Sequence, residues 1–361
     1  MTADLLPELG FYGLAGHVDD PRVLIDECRQ AEALGLGACF LSERFNVKEA
    51  ATITGVAGAV TDTLGIATGV TNVDTRHPAV VAAWGSTMQA LTRGRFALGF
   101  GRGFAMRSKA WGLPSPTMAV VEDAVGLYRR LWRGETIVGH DGPLGRFGAL
   151  RIGPFAEPVD VPVMMAALGL RTMRWAGRVM DGVILHTFFS DEALARCVAA
   201  VRAGAEEAGR DPASVKVWSV LATVCDRPDD HLKDLVARMA TYLQVYGDTL
   251  VATNGWDPAL LARFRADEVV RSIPGAIDAI GTREQWEHIA TLVPESWLPA
   301  AVGSPAQCAA RVADQFAQGC DGVILHGATP TQLTGVVEAW RAVRASALPA
   351  ALTRRPTNPG R

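Results

Sequence analysis

The sequence predicts a (β/α)8 barrel, and three observations carry that expectation. Short apolar runs alternate with longer stretches of helical apolar spacing, and counting them gives eight strands, nearly all followed by a helix. The runs are apolar on both faces, as a parallel sheet covered by helices requires. The hexapeptide DGVILH occurs at 181–186 and again at 321–326, each time after a helical stretch. An open doubly wound sheet is the other arrangement of the same elements.

Residues 9–15 (LGFYGLA) read as the first strand. Asp19, Asp20 and Pro21 open a helix with an apolar stripe of Val23, Leu24, Cys28, Ala31 and Leu34, and Gly35 stops it. Residues 38–41 form the second strand, ending in Ser42, Glu43, Arg44, Phe45 and Asn46, and 48–60 the second helix. The third strand, 64–68, runs into Gly69, Val70, Thr71 and Asn72, then a loop closed by Arg76, His77 and Pro78 before a helix over 79–91. Residues 95–100 are the fourth strand, followed by Gly101, Arg102 and Gly103, a loop with Pro114 and Pro116, and a helix over 119–132. The Gly-rich stretch 137–152 reads as a surface hairpin. The fifth strand, 161–166, precedes a helix opened by Gly169. The sixth is 181–186, with its helix over 191–208, and the seventh is 215–224. Residues 227–303 offer helical pieces and no clear buried strand, and so read as a helical insertion after the seventh strand. Ser304 and Pro305 start a helix to 318. The eighth strand is 321–326 and the last helix 331–346, so that residues 1–346 make one barrel domain. The Pro-rich basic stretch 347–361 is expected to be disordered.

Lys and Arg number 35 against 38 Asp and Glu, and no basic stripe is interleaved with aromatics. Nucleic acid is therefore not an expected partner; a small molecule is. No apolar run of about 18 residues lacks charges or glycine breaks, and the first residues lack a signal-peptide pattern. The expectation is no membrane and a cytoplasmic location. The six cysteines are scattered, with no CxxC pair and no metal-ligand spacing to a histidine, so buried free thiols and no metal are expected. There is no G-x-S-x-G, Walker loop or H-E-x-x-H.

Barrel ligands sit at the carboxyl ends of strands. The candidates there are Glu43 and Arg44, the run from Gly69 to Asn72, Gly101, Arg102 and Gly103, then Ala166, Gly169, Leu170 and Arg171, and His186. Glycines beside arginines let backbone approach an anion, and a helix starting near Leu170 adds free amides, which suits a phosphate. Arg171 and Arg102 sit at strand ends. Arg174 and Arg178 follow at helical spacing and fit a solvated outer face better than an anion site. GFGRG at 99–103 is G-x-G-x-G with no helix directly behind it, a tight turn rather than a dinucleotide fingerprint. Glu43 is either half of a surface ion pair or an acid in a cleft. His17, His77, His186 and His326 fall near strand ends or the rim, where each is structural or a proton carrier.

The segment GVTNVDTRHPAVVAA (69–83) resembles the bacterial-luciferase-like superfamily, in particular its branch using the deazaflavin coenzyme F420, which includes methylenetetrahydromethanopterin reductases. LTRGRFALGFGRG (91–103), ALGLRTMRWAGRVMDGVIL (167–185) and GSPAQCAARVADQFAQGCDGVIL (303–325) extend the resemblance, and FLSERFNVKEA (40–50) is similar to actinobacterial probable F420-dependent oxidoreductases. The resemblance implies a luciferase-like TIM barrel, an insertion that shapes the substrate pocket, a homodimer, and hydride transfer between the deazaflavin C5 and a small organic substrate. It implies a cis peptide at Gly69–Val70 in a bulge backing the ring, with Thr71 and Asn72 beside it. Gly101, Arg102 and Gly103 would line the ribityl chain, and Gly169, Leu170 and Arg171 would hold the phosphate beside Ala166. Relatives place an acid and a histidine where this chain has Glu43 and Arg44, so the proton falls to Glu43, Arg44 or His186. The alternative is an FMN-dependent monooxygenase of the same superfamily. A different class is a non-catalytic flavin-binding barrel, plugged by Phe104, Phe188 or Phe189. The acidic tail of F420 would require a basic groove, for which Arg102, Arg107, Lys109, Arg171 and Arg174 are candidates.

Overall fold

The computed structural model describes residues 4–103, 105–113, 116–153 and 158–349. Its strands are β1 (Leu6–Tyr12), β2 (Leu36–Leu41), β3 (Gly65–Thr68), β4 (Thr71–Asn72), β5 (Phe96–Gly101), β6 (Ile137–Gly142), β7 (Gly145–Leu150), β8 (Val163–Ala166), β9 (Gly182–Ile184), β10 (Lys216–Cys225), β11 (Ala301–Gly303) and β12 (Gly322–His326). The helices nearest the barrel are α1 (Val23–Ala33), α2 (Ala50–Ala59), α3 (Pro78–Thr92), α4 (Ala105–Ala110), α5 (Met118–Trp132), α6 (Leu170–Val179) and α7 (Asp191–Glu207). The insertion contributes α8 (Arg238–Asn254), α9 (Pro258–Ala266), α10 (Glu268–Ser272), α11 (Ile277–Ile280) and α12 (Arg283–Ala290), and α13 (Pro305–Ala317) and α14 (Pro330–Ala347) complete the ring.

Parallel pairing runs β1–β2–β3–β5–β8–β9–β10–β12 and closes through β12–β1. That closing pair, with Leu9 opposite Val323 and Phe11 opposite Leu325, excludes the open doubly wound sheet. Ala38, Phe40, Ala67, Ala97, Met164, Ile184, Trp218, Val220 and Ile324 fill the lumen, and Tyr12, Val70 and Ala166 lie half-buried against them. The larger apolar layer lies between the strands and the outer helices.

Both copies of DGVILH perform the same structural task at the amino ends of their strands. Asp181 accepts from the Val163 amide at 2.9 Å and from Arg129 of α5 at 2.8 Å. Asp321 accepts from the Val217 amide at 2.7 Å and from Arg202 of α7 at 2.7 Å. Each aspartate thus clips its strand to the preceding one and to a helix, on the face of the barrel that serves stability.

Tertiary contacts shifted several expected boundaries and added a short strand. β1 lies at Leu6–Tyr12 rather than 9–15. The chain leaves the sheet because Leu14, at φ +55, gives its amide to the Glu27 carboxylate at 2.7 Å and its carbonyl to the buried Lys48 ammonium. α2 begins at Ala50 rather than 48 because Arg44 and Lys48 pair backbone to backbone and Glu49 caps the helix through the Thr52 amide. The insertion holds one short strand the apolar pattern did not signal, β11, paired along Thr223–Cys225 of β10. All six cysteines are buried and free. Phe104 and residues 350–361 lie outside the described residues.

Candidate active site

The third strand is broken by one extra residue. Ala67 pairs with Ala97 and Thr71 with Phe100, so β3–β4 advances four residues while β5 advances three. This is a β-bulge at a strand end. The Gly69–Val70 peptide within it is cis. Thr68 repairs the ladder: its hydroxyl donates to the Gly99 carbonyl at 2.8 Å and accepts from the Gly99 amide at 2.7 Å. On the other side the Gly69 amide donates to Leu41 at 2.8 Å, and the Glu43 amide to the Val70 carbonyl at 3.0 Å. Val70 therefore joins the lumen beside Tyr12 and Ala166. A side chain at Gly69 would meet the Tyr12 ring at 2.9 Å and Phe40 at 3.1 Å, so only hydrogen fits without movement.

Thr71 and Asn72, expected beside a ring, turn inward. Thr71 is 1% exposed and donates to Glu43 at 2.6 Å. Asn72 lies under Gly103, whose φ is +73 and where a Cβ would fall 2.8 Å from the Asn72 side-chain oxygen. Glu43 is placed behind the corner rather than in the lumen. Its side chain has no exposed surface, and its oxygens take the Ala50 amide at 3.2 Å, the Thr71 hydroxyl and both Arg76 terminal nitrogens. With two donors on each oxygen, the carboxylate braces the bulge from behind. Arg44 is exposed at the rim and donates to the Gly16 carbonyl at 3.0 Å.

On the far side of the barrel, His186, Thr187 and His326 cap β9 and β12. The His326 ring meets the edge of Tyr12 with centroids 5.0 Å apart, and its Nδ1 lies 3.2 Å from the Thr187 hydroxyl, which also bonds the Tyr242 hydroxyl. His186 donates from Nδ1 to the Thr187 carbonyl at 2.9 Å, leaving Nε2 as an acceptor. Its ring packs edge-on against Tyr242 at 4.6 Å and Tyr246 at 5.6 Å. Burial pulls the His186 pKa down to about 4, with the Thr187 carbonyl acting against it. Burial, then Arg238 and other nearby cations, hold His326 well below its ordinary value. Both imidazoles are neutral at pH 7.

A histidine depressed from 6.5 to about 4 binds its proton more weakly in the folded chain. Its stabilising contribution is therefore complete above about pH 6.5 and disappears as pH falls towards 4. Thermal midpoints measured across that window should fall less steeply in His186→Phe than in the parent. An unchanged slope would mean that the His186 ring is hydrated.

At the fifth strand, Gly169 is the N-cap of α6 and has no side chain to bond the free amides, and the first turn carries no acid. The Thr172 and Met173 amides bond the Gly169 carbonyl, which leaves the amides of Leu170 and Arg171 without an intrahelical acceptor. Arg171 is exposed beside them. Arg174 is ion-paired at the surface with Glu207, while Arg102 and Lys109 are exposed. Phe188 and Phe189 pack in the outer core, not the lumen, and so do not plug it. Among the described residues no cluster of three metal-ligating side chains occurs, and no helix is long and apolar enough to cross a membrane.

Sequence reasoning missed Arg76 as a partner of Glu43, Tyr12, and the α8 residues Arg238, Tyr242 and Tyr246. The last three recur every fourth residue, a spacing that puts them on one helical face and was present in the sequence.

The bulge, the helix start and the paired histidines lie at the carboxyl ends of the strands, where barrel enzymes carry their chemistry. In class, then, the molecule is a barrel enzyme. It belongs to the luciferase-like monooxygenase family of oxidoreductases, whose model matches residues 7–322. The chain is 26% identical over 254 residues to 5,10-methylenetetrahydromethanopterin reductase of Methanolobus tindarius, covering 70% of this chain and 77% of the relative. It is 29% identical over 221 residues to phthiodiolone/phenolphthiodiolone dimycocerosates ketoreductase of Mycobacterium tuberculosis; that match takes in 60% of this chain and only 58% of the relative's length. The fold superimposes on the coenzyme F420-dependent tetrahydromethanopterin reductase of Methanopyrus kandleri with a TM-score of 0.73 at 18% identity, covering 94% and 99% of the two chains. It also superimposes on the oxygenating constituent of 3,6-diketocamphane monooxygenase of Pseudomonas putida, in complex with FMN, at a TM-score of 0.61 and 17% identity, covering 95% and 98%.

Proposed function

We propose that this chain is an F420-dependent oxidoreductase acting on a small organic substrate. The observation that carries the proposal is the bulge at Gly69–Val70, which presents Val70 to the lumen as an apolar platform for a flat ring. A further feature fits the coenzyme: the uncapped start of α6 suits its phosphate, while Gly101 and Gly103 keep the turn beside the bulge close-packed against Val70 and Asn72. The two relatives described above are named as reductases, which supports hydride transfer over oxygenation. When bound, the deazaflavin supplies hydride chemistry at C5. The protein's own part is to seat and exclude water from that face.

Proton handling falls to His186. Glu43 is fully hydrogen-bonded, and Arg44 lies exposed at the rim, bonded to the Gly16 carbonyl. His186 Nε2, neutral and bare, takes the proton as an alcohol is oxidised and returns it in the opposite direction. FMN remains the second reading, favoured by the ion pair of Arg174 with Glu207, which occupies one of the cations an acidic tail would use. Parallel fluorescence titrations with F420 and FMN test the choice. Micromolar F420 binding with weak FMN binding is expected; the reverse preference would move the chain to the oxygen-using members. Arg171→Ala should weaken the cofactor by about 1–3 kcal/mol through loss of a charge-assisted phosphate contact. A loss of a few tenths would leave Arg171 in solvent.

A further inference from the structure

Helix α8 carries Arg238, Tyr242 and Tyr246 on one face, and each of them belongs to the barrel mouth. The tyrosines wall in His186, as above. Arg238 is 6% exposed, lies against Gly327 just beyond His326, and has a buried Nη1 with no hydrogen-bond partner among the described residues. A guanidinium so placed has lost water without full compensation. Its acidic neighbour, Asp234, stands 3.4 Å from Nη2 and is shared with Arg227, also at 3.4 Å. Arg227 is paired more closely with Asp230, at 2.6 Å. The remaining charged groups that act on His326 are Arg44 and Lys48, both cations. Asp278, the other acid near Tyr242, is occupied by His17 at 3.3 Å and Thr241 at 2.8 Å. The mouth thus joins an aromatic patch to a buried cation with one donor unused.

We propose that the substrate carries a carboxylate, seated on Arg238, with its apolar body laid against the half-buried Tyr242, Tyr246 and His186 rings. This rests on the mouth being the substrate site and names the substrate class for it. Arg238 gives the carboxylate a charge-assisted hydrogen bond, and an amide of the same shape forfeits the charge. The aromatic walls accept a flat or ring-bearing body.

The test is equilibrium binding of 3-phenylpropanoate against 3-phenylpropanamide by ligand-observed NMR, in inorganic phosphate buffer so that the α6 start is occupied. No cofactor or turnover is required, so failure here is separate from failure of the F420 titration. The parent protein should prefer the carboxylate at least tenfold. Arg238→Gln should lower carboxylate affinity at least tenfold and leave the amide unchanged, and Arg238→Lys should restore part of the loss. Equal affinities for acid and amide in the parent would overturn the proposal whatever the variants do. A preference that survives Arg238→Gln in a protein of unchanged thermal midpoint would overturn it too, and assign the anion to Arg44.

Discussion

Glu43→Ala should destabilise the fold by about 3–5 kcal/mol, the loss typical of removing one partner of a buried ion pair. Domains of this kind have a total stability of about 5–15 kcal/mol, so the shift in urea midpoint should be large. The reason lies in what stays behind. Arg76, with a side chain 13% exposed, would keep Glu49, whose side chain is 45% exposed and whose attraction water screens. The Ala50 amide and the Thr71 hydroxyl would each lose an acceptor. Glu43→Gln retains shape and one acceptor oxygen and should fall between the two. A loss below about 1 kcal/mol in Glu43→Ala would show that Glu49 re-pairs with Arg76 and that the bulge stands without its brace.

Gly99→Ala should be at least as damaging, at about 3 kcal/mol or more, with low soluble yield. The added Cβ would lie 2.0 Å from the Thr68 carbonyl oxygen, a backbone atom held in place by β3 and by the two Thr68–Gly99 hydrogen bonds. Gly69→Ala makes the instructive contrast. Its new methyl would meet side-chain atoms, chiefly the half-buried Tyr12 ring, which can move. That variant should fold and lose cofactor affinity. A thermal midpoint for Gly99→Ala equal to the parent's would mean that β3 and β5 can separate at the bulge. Full cofactor affinity in Gly69→Ala would remove Tyr12 and the bulge from the binding surface.

What could be read in the sequence was what is written locally. Buried parallel strands are continuous apolar runs, so β2, β5, β10 and β12 stood out, and the echo of DGVILH marked two equivalent units. The corner at 69–72 read as a ligand-bearing strand end from its residues, but its bulge was recognisable by resemblance alone, because an extra residue in GVTN leaves no periodic trace. The partnership of Glu43 with Arg76 spans 33 residues and depends on a closed barrel to bring two loops together. The same holds for Leu14, pulled from its strand by Glu27 and Lys48. The α8 stripe is a different case. Its four-residue spacing was legible, but a polar stripe on a helix usually faces solvent, and only the placement of α8 over the mouth turns it inward.

The bulge also bears on how this corner can change over evolutionary time. Ala67 and Val70 both face the lumen although they stand three positions apart, which an unbroken strand forbids. Deleting a single codon between 68 and 71 would equalise the two strands: Thr71 would stay opposite Phe100 and keep its face, but the extra length of backbone that pushes the Gly69–Val70 corner out of the ladder would be gone. Point substitutions can therefore explore the chemistry of this segment, whereas its length is inherited whole, and a descendant that lost one residue here would keep a regular strand and lose the platform.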